Sequence, residues 1–271
     1  MDRRIFISVI ILVSLVGCLS DGSQNSGEKS SSETAEVVPT TGAGEDLSQV
    51  SNLLAGYWIS DDFLTRTERS KSVFATREYS SKLFGLALET ENLLGDEPYL
   101  DGFTEHEGGY GTPLKFNTVK GVFENDMEKL EPYSFLNEPF EVHLRDQNTL
   151  EIRYGIDSIK ELYRRVADVQ TSLRRTLFEG IYINPVSSER VEFKRDGQLN
   201  GIPSKQRFEV LYDFESAGYQ FDVVSFLADG QVAQDTYHYR IKKDTLSLFS
   251  IEGDFPEFSI GEKKYQWIRE K

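Results

Sequence analysis

The feature that most constrains this chain is a series of short segments in which apolar and polar residues alternate, with turn residues between them. Val191 and Phe193 alternate with Glu192 and Lys194, and the run stops at Asp196-Gly197, a dipeptide that favours a tight hairpin turn. Phe208, Val210, Tyr212 and Phe214 alternate with Glu209 and Asp213, and Phe221 to Leu227 leads to a second such dipeptide, Asp229-Gly230. Tyr237, Tyr239 and Ile241 then alternate with His238, Arg240 and Lys242, followed by Leu246 to Ile251 and Lys264 to Ile268. A period of two places one face of each segment in a core, so the C-terminal half reads as an antiparallel meander of about seven strands. In the N-terminal half the same style predicts strands at Leu54 to Ile59, Leu83 to Glu89, Tyr99 to Thr104, Leu114 to Phe123, Phe140 to Leu144 and Leu150 to Tyr154. Between the first two, charges crowd from Asp61 to Ser81, and a helix capped by Asp61 or Asp62 is expected there.

The two halves resemble each other at both ends, which indicates an internal repeat. Leu54-Ala55-Gly56-Tyr57-Trp58 matches Phe178-Glu179-Gly180-Ile181-Tyr182, each with a glycine two places before a large aromatic. Asn148-Thr149-Leu150-Glu151-Ile152 matches Asp244-Thr245-Leu246-Ser247-Leu248. Each of these leads to a basic, aromatic strand, Glu161-Leu162-Tyr163-Arg164-Arg165 in one copy and Tyr265-Gln266-Trp267-Ile268-Arg269 in the other. The opening pair is offset by 124 positions and the closing pair by 96, so the first copy carries about 28 extra residues, which the expected helix and the glycine-rich stretch near 108–111 would absorb.

A Gly-x-Trp on the first strand with an arginine on the last resembles the lipocalin and wider calycin pattern of small β-barrels. The resemblance implies that Trp58 packs across a barrel floor under Arg164 or Arg165, with Gly56 beside it. Gly180, Tyr182 and Arg269 would do the same in the second copy, although tyrosine replaces tryptophan there. These are scaffold roles. A barrel of about eight strands either fills its interior with side chains or encloses one small ligand, and 13 Tyr and 18 Phe would suit either outcome.

The chain opens with Met1, Asp2, Arg3 and Arg4, then an apolar run from Ile5 to Val16 broken only by Ser8 and Ser14. A charged start and a run too short to span a bilayer have the layout of a secretory signal peptide. The run ends in Leu15-Val16-Gly17-Cys18, which resembles the lipobox of bacterial lipoproteins. That resemblance implies cleavage after residue 17 and acylation of Cys18, and the palmitate-type chains would anchor the protein. Cys18 is the only cysteine, so an exported domain here has no disulfide available. From 18 to 46 the sequence is rich in Ser, Gly, Thr and Glu and has no aromatic residue, the composition of a disordered tether with a reach of roughly 30 Å. Ser20-Asp21 resembles the acidic surface-export signals of Bacteroidetes lipoproteins.

The formal charge is −15, and loss of Asp2, Arg3 and Arg4 with the signal peptide leaves −16. A field of that sign repels phosphate backbones, so nucleic acid is excluded as a partner. His106, His143 and His238 lack the paired spacing of a zinc site, and no metal or other cofactor is expected. The most unusual local stretch is Thr104-Glu105-His106-Glu107-Gly108-Gly109-Tyr110-Gly111, which makes His106, Glu107 and Tyr110 the loop candidates for ligand contact. Glycines mark turns wherever φ is positive, so the same stretch reads first as a hairpin loop with solvated carboxylates. No nucleophile elbow, phosphate-cradling loop or dinucleotide fingerprint is present.

The expectation is therefore an all-β protein with two tandem antiparallel meander units, lipocalin-like barrels or half-barrels, over 47–170 and 171–271. The first carries one short helix, and a signal peptide (1–17) and the tether (18–46) precede them; the two copies close separately or merge into one larger sheet system. The expected role is a non-catalytic binding module of the cell envelope, lipid-anchored at the outer membrane, for an apolar or carbohydrate-like ligand. The alternative is a structural or assembly lipoprotein that binds an envelope protein partner.

Overall fold

The computed structural model describes residues 46–106, 110–130, 136–155, 159–228 and 234–271, and of Tyr110 and Gln234 only the backbone. The signal segment, Cys18, the tether up to residue 45, Glu107 and the Asp229-Gly230 turn lie outside the described residues.

The alternating segments form two eight-stranded antiparallel sheets. The first comprises β1 (Gly56–Ser60), β2 (Gly85–Leu88), β3 (Tyr99–Phe103), β4 (Tyr110–Asn117), β5 (Val122–Asn125), β6 (Phe140–Asp146), β7 (Thr149–Tyr154) and β8 (Ile159–Val166). These strands pair in sequence order, and β8 returns to β1 to close a barrel, with Trp58 opposite Arg165. The expected strand Leu114 to Phe123 is in fact two. A turn at 118–121 with Gly121 at φ 68 divides β4 from β5, and the Asn117 side chain accepts from the backbone N–H of Val119 and Lys120 to hold it.

The second sheet comprises β9 (Gly180–Ile183), β10 (Arg190–Phe193), β11 (Leu199–Asn200), β12 (Arg207–Val210), β13 (Val223–Leu227), β14 (Gln234–Lys242), β15 (Thr245–Glu252) and β16 (Ser259–Arg269), with β16 paired to β9. Its two ends, β11 and β12, meet through a single bridge between Gln198 and Arg207. Leu199 N donates to Gln206 O at 2.7 Å and Phe208 N to Gly197 O at 2.9 Å across this seam. Asp196-Gly197 makes the expected turn between β10 and β11. Beyond the seam β12 stops at Val210, not Phe214, because Asp213 accepts from Ser216 N and starts a helical turn.

Among the described residues five short α-helices and one 3-10 turn (Phe74–Thr76) accompany the strands: α1 (Leu47–Leu54), α2 (Asp61–Ser70), α3 (Thr90–Leu94), α4 (Val169–Leu177) and α5 (Phe214–Ala217). Helix α2 is the one expected, but its cap is Ser60, whose Oγ accepts from Phe63 N at 3.3 Å, rather than Asp61 or Asp62. The two carboxylates instead occupy the first turn, where the helix dipole favours them. Helices α1 and α4 extend the repeat backwards, each ending just before the glycine that opens its barrel; residue 170 falls inside α4.

Both barrels bury large side chains across their interiors. In the first, Trp58, Leu86, Leu100, Phe123, Ile152 and Tyr163 are fully buried, with Val50 and Leu54 of α1 against them. In the second, Phe193, Phe208, Phe226, Tyr239, Leu246 and Leu248 meet Leu173 and Phe178 at the end supplied by α4. The second core continues into the outer face of the first barrel. Ile59, next to inward-facing Trp58, Phe63 and Leu64 of α2, and Val73 and Phe84 all belong to it. Phe84 stacks parallel on Tyr212, with ring centroids 5.7 Å apart.

The segment after α2 therefore joins the barrels. Phe74 N donates to Asp222 Oδ1 at 2.8 Å, Val73 N to the phenol oxygen of Tyr239 at 3.4 Å, and Lys71 Nζ to Thr176 O at 3.0 Å. Much of the surplus of the first copy is this link.

Candidate functional site

The Gly-x-aromatic openings and the closing arginines form matched floors. Gly56 and Gly180 take φ of 142 and 145, a region that side-chain-bearing residues rarely adopt. A Cβ at Gly56 would lie 3.1 Å from Arg165 Nη1, and one at Gly180 would lie 3.3 Å from Arg269 Nε. The glycines thus clear a path for an arginine to cross the floor. Arg165 lies over the Trp58 ring at 4.2 Å, and Arg269 lies over Tyr182 at 5.3 Å. Of the two candidates in the first copy, Arg165 takes this position; Arg164 points to α2, where it pairs with Asp61 and Glu68 at 2.6 Å each.

The floors differ in their polar ends. Trp58 Nε1 donates to Leu54 O at 2.9 Å, while Arg165 donates to Ala55 O at 2.6 Å, to Gln147 O at 2.8 Å and to Leu53 O. Arg269 donates instead to the Tyr182 hydroxyl, from Nη2 at 2.8 Å and Nε at 3.1 Å. Burial pushes the Tyr182 phenol up, so it stays protonated.

Of the loop candidates, His106 reaches the second barrel. Its Nδ1 lies 3.2 Å from Asp213 Oδ1 and 2.9 Å from Ser216 Oγ, with Glu215 Oε2 4.0 Å from Nε2. Serine, histidine and aspartate meet here in the wrong order for acyl transfer. A nucleophile needs one imidazole nitrogen and the orienting carboxylate the other, whereas both sit at Nδ1. The arrangement is a clasp between the barrels, made by α5 and the loop after β3. Glu107 lies outside the described residues, and Tyr110 begins β4 by its backbone.

The other histidines are placed apart. His143, on the outer face of β6, has Nε2 2.7 Å from Glu141 Oε2. His238 lies between Phe221 and Phe249, with Nδ1 2.9 Å from Asp222 O and a buried Nε2 that has no partner among the described residues. Burial pulls both below the ordinary histidine range, so both are neutral at pH 7. Among the described residues no group of three or more His, Cys, Asp or Glu is placed to hold a metal ion.

Among the described residues two carboxylates are buried: Glu151, which pairs with Arg145 and Arg153, and Glu161. Glu161 accepts from the hydroxyls of Tyr163 at 2.7 Å and Tyr154 at 3.1 Å and from Lys82 N at 2.8 Å. Burial raises both phenols, which therefore remain donors, and the carboxylate is satisfied within the fold. Outside the first barrel, a groove of about 490 Å³ runs over Met127, Pro139 and Phe140, flanked by Lys115, Arg153 and Glu141.

No helix of the described residues is long and apolar enough to cross a membrane. Comparison with family models, with curated proteins and with solved structures finds no match to this chain.

Proposed function

We propose that this is a lipid-anchored cell-envelope protein, held at the outer membrane through Cys18, whose tandem lipocalin-like barrels act as a rigid, non-catalytic module that binds an envelope protein partner. The observation that carries this reading is the filling of both interiors. Trp58, Phe123 and Tyr163 in one barrel, and Phe193, Phe208 and Tyr239 in the other, occupy the space in which a ligand-carrying barrel holds its ligand. Recognition is then left to the outer surface. The charge of −16 that follows loss of the signal peptide favours a cationic partner face and makes the encounter salt-dependent.

The small-ligand reading draws its support from the outer groove, where Phe140 and Met127 lie among Lys115, Arg153 and Glu141. That mixed lining suits a carbohydrate-like ligand better than an apolar one.

Native mass spectrometry of the protein purified in low salt from its own membranes separates the two. A stoichiometric second protein that dissociates as salt is raised is the expected result. A small molecule retained one to one on an otherwise bare chain would overturn the partner reading in favour of the groove.

A further inference from the structure

The offset of 124 that relates Gly56 to Gly180 continues into the preceding helices and places Val50 of α1 opposite Arg174 of α4. Val50 is fully buried and apolar, as a residue that closes a barrel end should be. Arg174 is also buried, with 7 % of its surface exposed, yet among the described residues it donates no side-chain hydrogen bond and pairs with no carboxylate. Its Nε is sealed from solvent without a partner among the described residues, and neither Nη is sealed in that way. Its neighbours explain how it fits but not why it is charged. The guanidinium lies 5.7 Å from the Phe208 ring, and a Cβ on Gly197 would come within 2.8 Å of Arg174 Cζ, so the glycine leaves it room.

A buried cation with only an aromatic ring at 5.7 Å and no ionic or hydrogen-bonded partner is unfavourable, and a guanidinium presents a planar fork of donors matched to an oxyanion. The position lies beside the seam of the second barrel. One helical turn earlier Gln170 has already satisfied the free edge of β12, donating to Val210 O at 2.8 Å and accepting from Val210 N at 3.1 Å. Arg174 therefore has no remaining duty to that edge. Of the charges that act on it, Arg207 adds to the positive field and Glu209, Asp168 and Asp196 oppose it, without any of the three reaching ion-pair distance.

We propose that Arg174 is the core of a small-oxyanion site at the seam of the second barrel, one that takes a carboxylate or a phosphate group on its Nη donors. The site has no counterpart in the first barrel, where Val50 fills the same place.

The test is thermal unfolding of the full-length chain in detergent at constant ionic strength, with phosphate and, separately, acetate exchanged for chloride. The wild type should show a saturable rise in Tm, about 5–10 °C at a concentration near 100 times Kd. The anion that saturates at the lower concentration identifies the source. Arg174→Met should unfold cooperatively at the same Tm as the wild type or higher in chloride, and show no saturable rise. If that variant does not fold, the Nε–H resonance of Arg174 in the wild type provides the second reading, since it should shift saturably with the anion. An equal, unsaturable rise in wild type and variant, or an unmoved Arg174 resonance, would overturn the proposal.

Discussion

The two barrels solve one packing problem in different ways. Both open with a glycine at strongly positive φ, place an aromatic two residues later, and lay an arginine from the last strand over it. In the first barrel the floor is anchored to backbone, because the indole and the guanidinium both donate to the carbonyls that end α1. In the second, arginine and tyrosine bond each other, and the carbonyls that end α4 are left out of the floor. The first barrel closes by a full ladder between β1 and β8, the second by one bridge and a glutamine side chain. The difference teaches that the repeat preserves the crossing of the floor, while the means of closing the wall were free to diverge.

Substitutions at equivalent places sharpen this comparison. The largest effect is expected at the first floor: Trp58→Ala removes a fully buried indole and should cost about 3–5 kcal/mol, whereas Tyr182→Phe, which loses only the hydroxyl, should cost about 1 kcal/mol in chemical denaturation. Next comes the seam. Gln170→Ala leaves Val210 N–H and C=O without partners and should cost roughly 1–3 kcal/mol, with amide exchange rising first in β12; unchanged protection there would show that the amide does not serve as a strand. For the arginines, Arg165→Met should cost about 1 kcal/mol more than Arg269→Met, since three carbonyls lose a donor in one case and one hydroxyl in the other.

The smallest effect concerns pH. Burial holds His238 below its ordinary value of 6.5, so the unfolded chain takes up a proton more readily than the folded one. Its neutral form is the folded form, and stability is complete above about pH 6.5 and falls as pH drops towards the folded value. Asp222 opposes this depression and Arg240 adds to it. Replacing His238 by Phe, which suits the ring contacts with Phe221 and Phe249, should flatten the loss of Tm between pH 7 and 5. His143 titrates in the same sense and leaves a residual slope, so the reading is the difference between the two proteins.

Much of the architecture was legible in the sequence because a period of two and a repeated Gly-x-aromatic are local patterns. Val191 to Asp196-Gly197 and Tyr237 to Lys242 follow from such spacing, while the pairing of Trp58 with a closing arginine was implied by the resemblance to the lipocalin pattern. Helices α1 and α4 carried a signal as well, since Leu47, Val50 and Leu54, and Leu173 with Leu177, recur at helical spacing. That signal is easily missed beside a tether and a basic strand. The choice of Arg165 over Arg164 was not legible, because neighbours on a strand face opposite sides and only the register decides between them. Strand β11 is two residues long, too short for any periodicity. The clasp of His106 with Asp213 joins residues 107 positions apart, and Arg174 gains its meaning only beside Val50 once the helices are known. Such long-range placement comes from packing and leaves no local mark.

The central claim, that both interiors are full and that recognition belongs to the outside, is tested most directly by titrating the full-length protein with a neutral apolar fluorophore such as N-phenyl-1-naphthylamine, above the background of detergent alone. The account predicts no saturable one-to-one binding to the wild type, and its appearance in Trp58→Ala, where a cavity has been opened. Saturable binding to the wild type at one or two sites would contradict it, because a ligand-sized space would then exist inside a barrel.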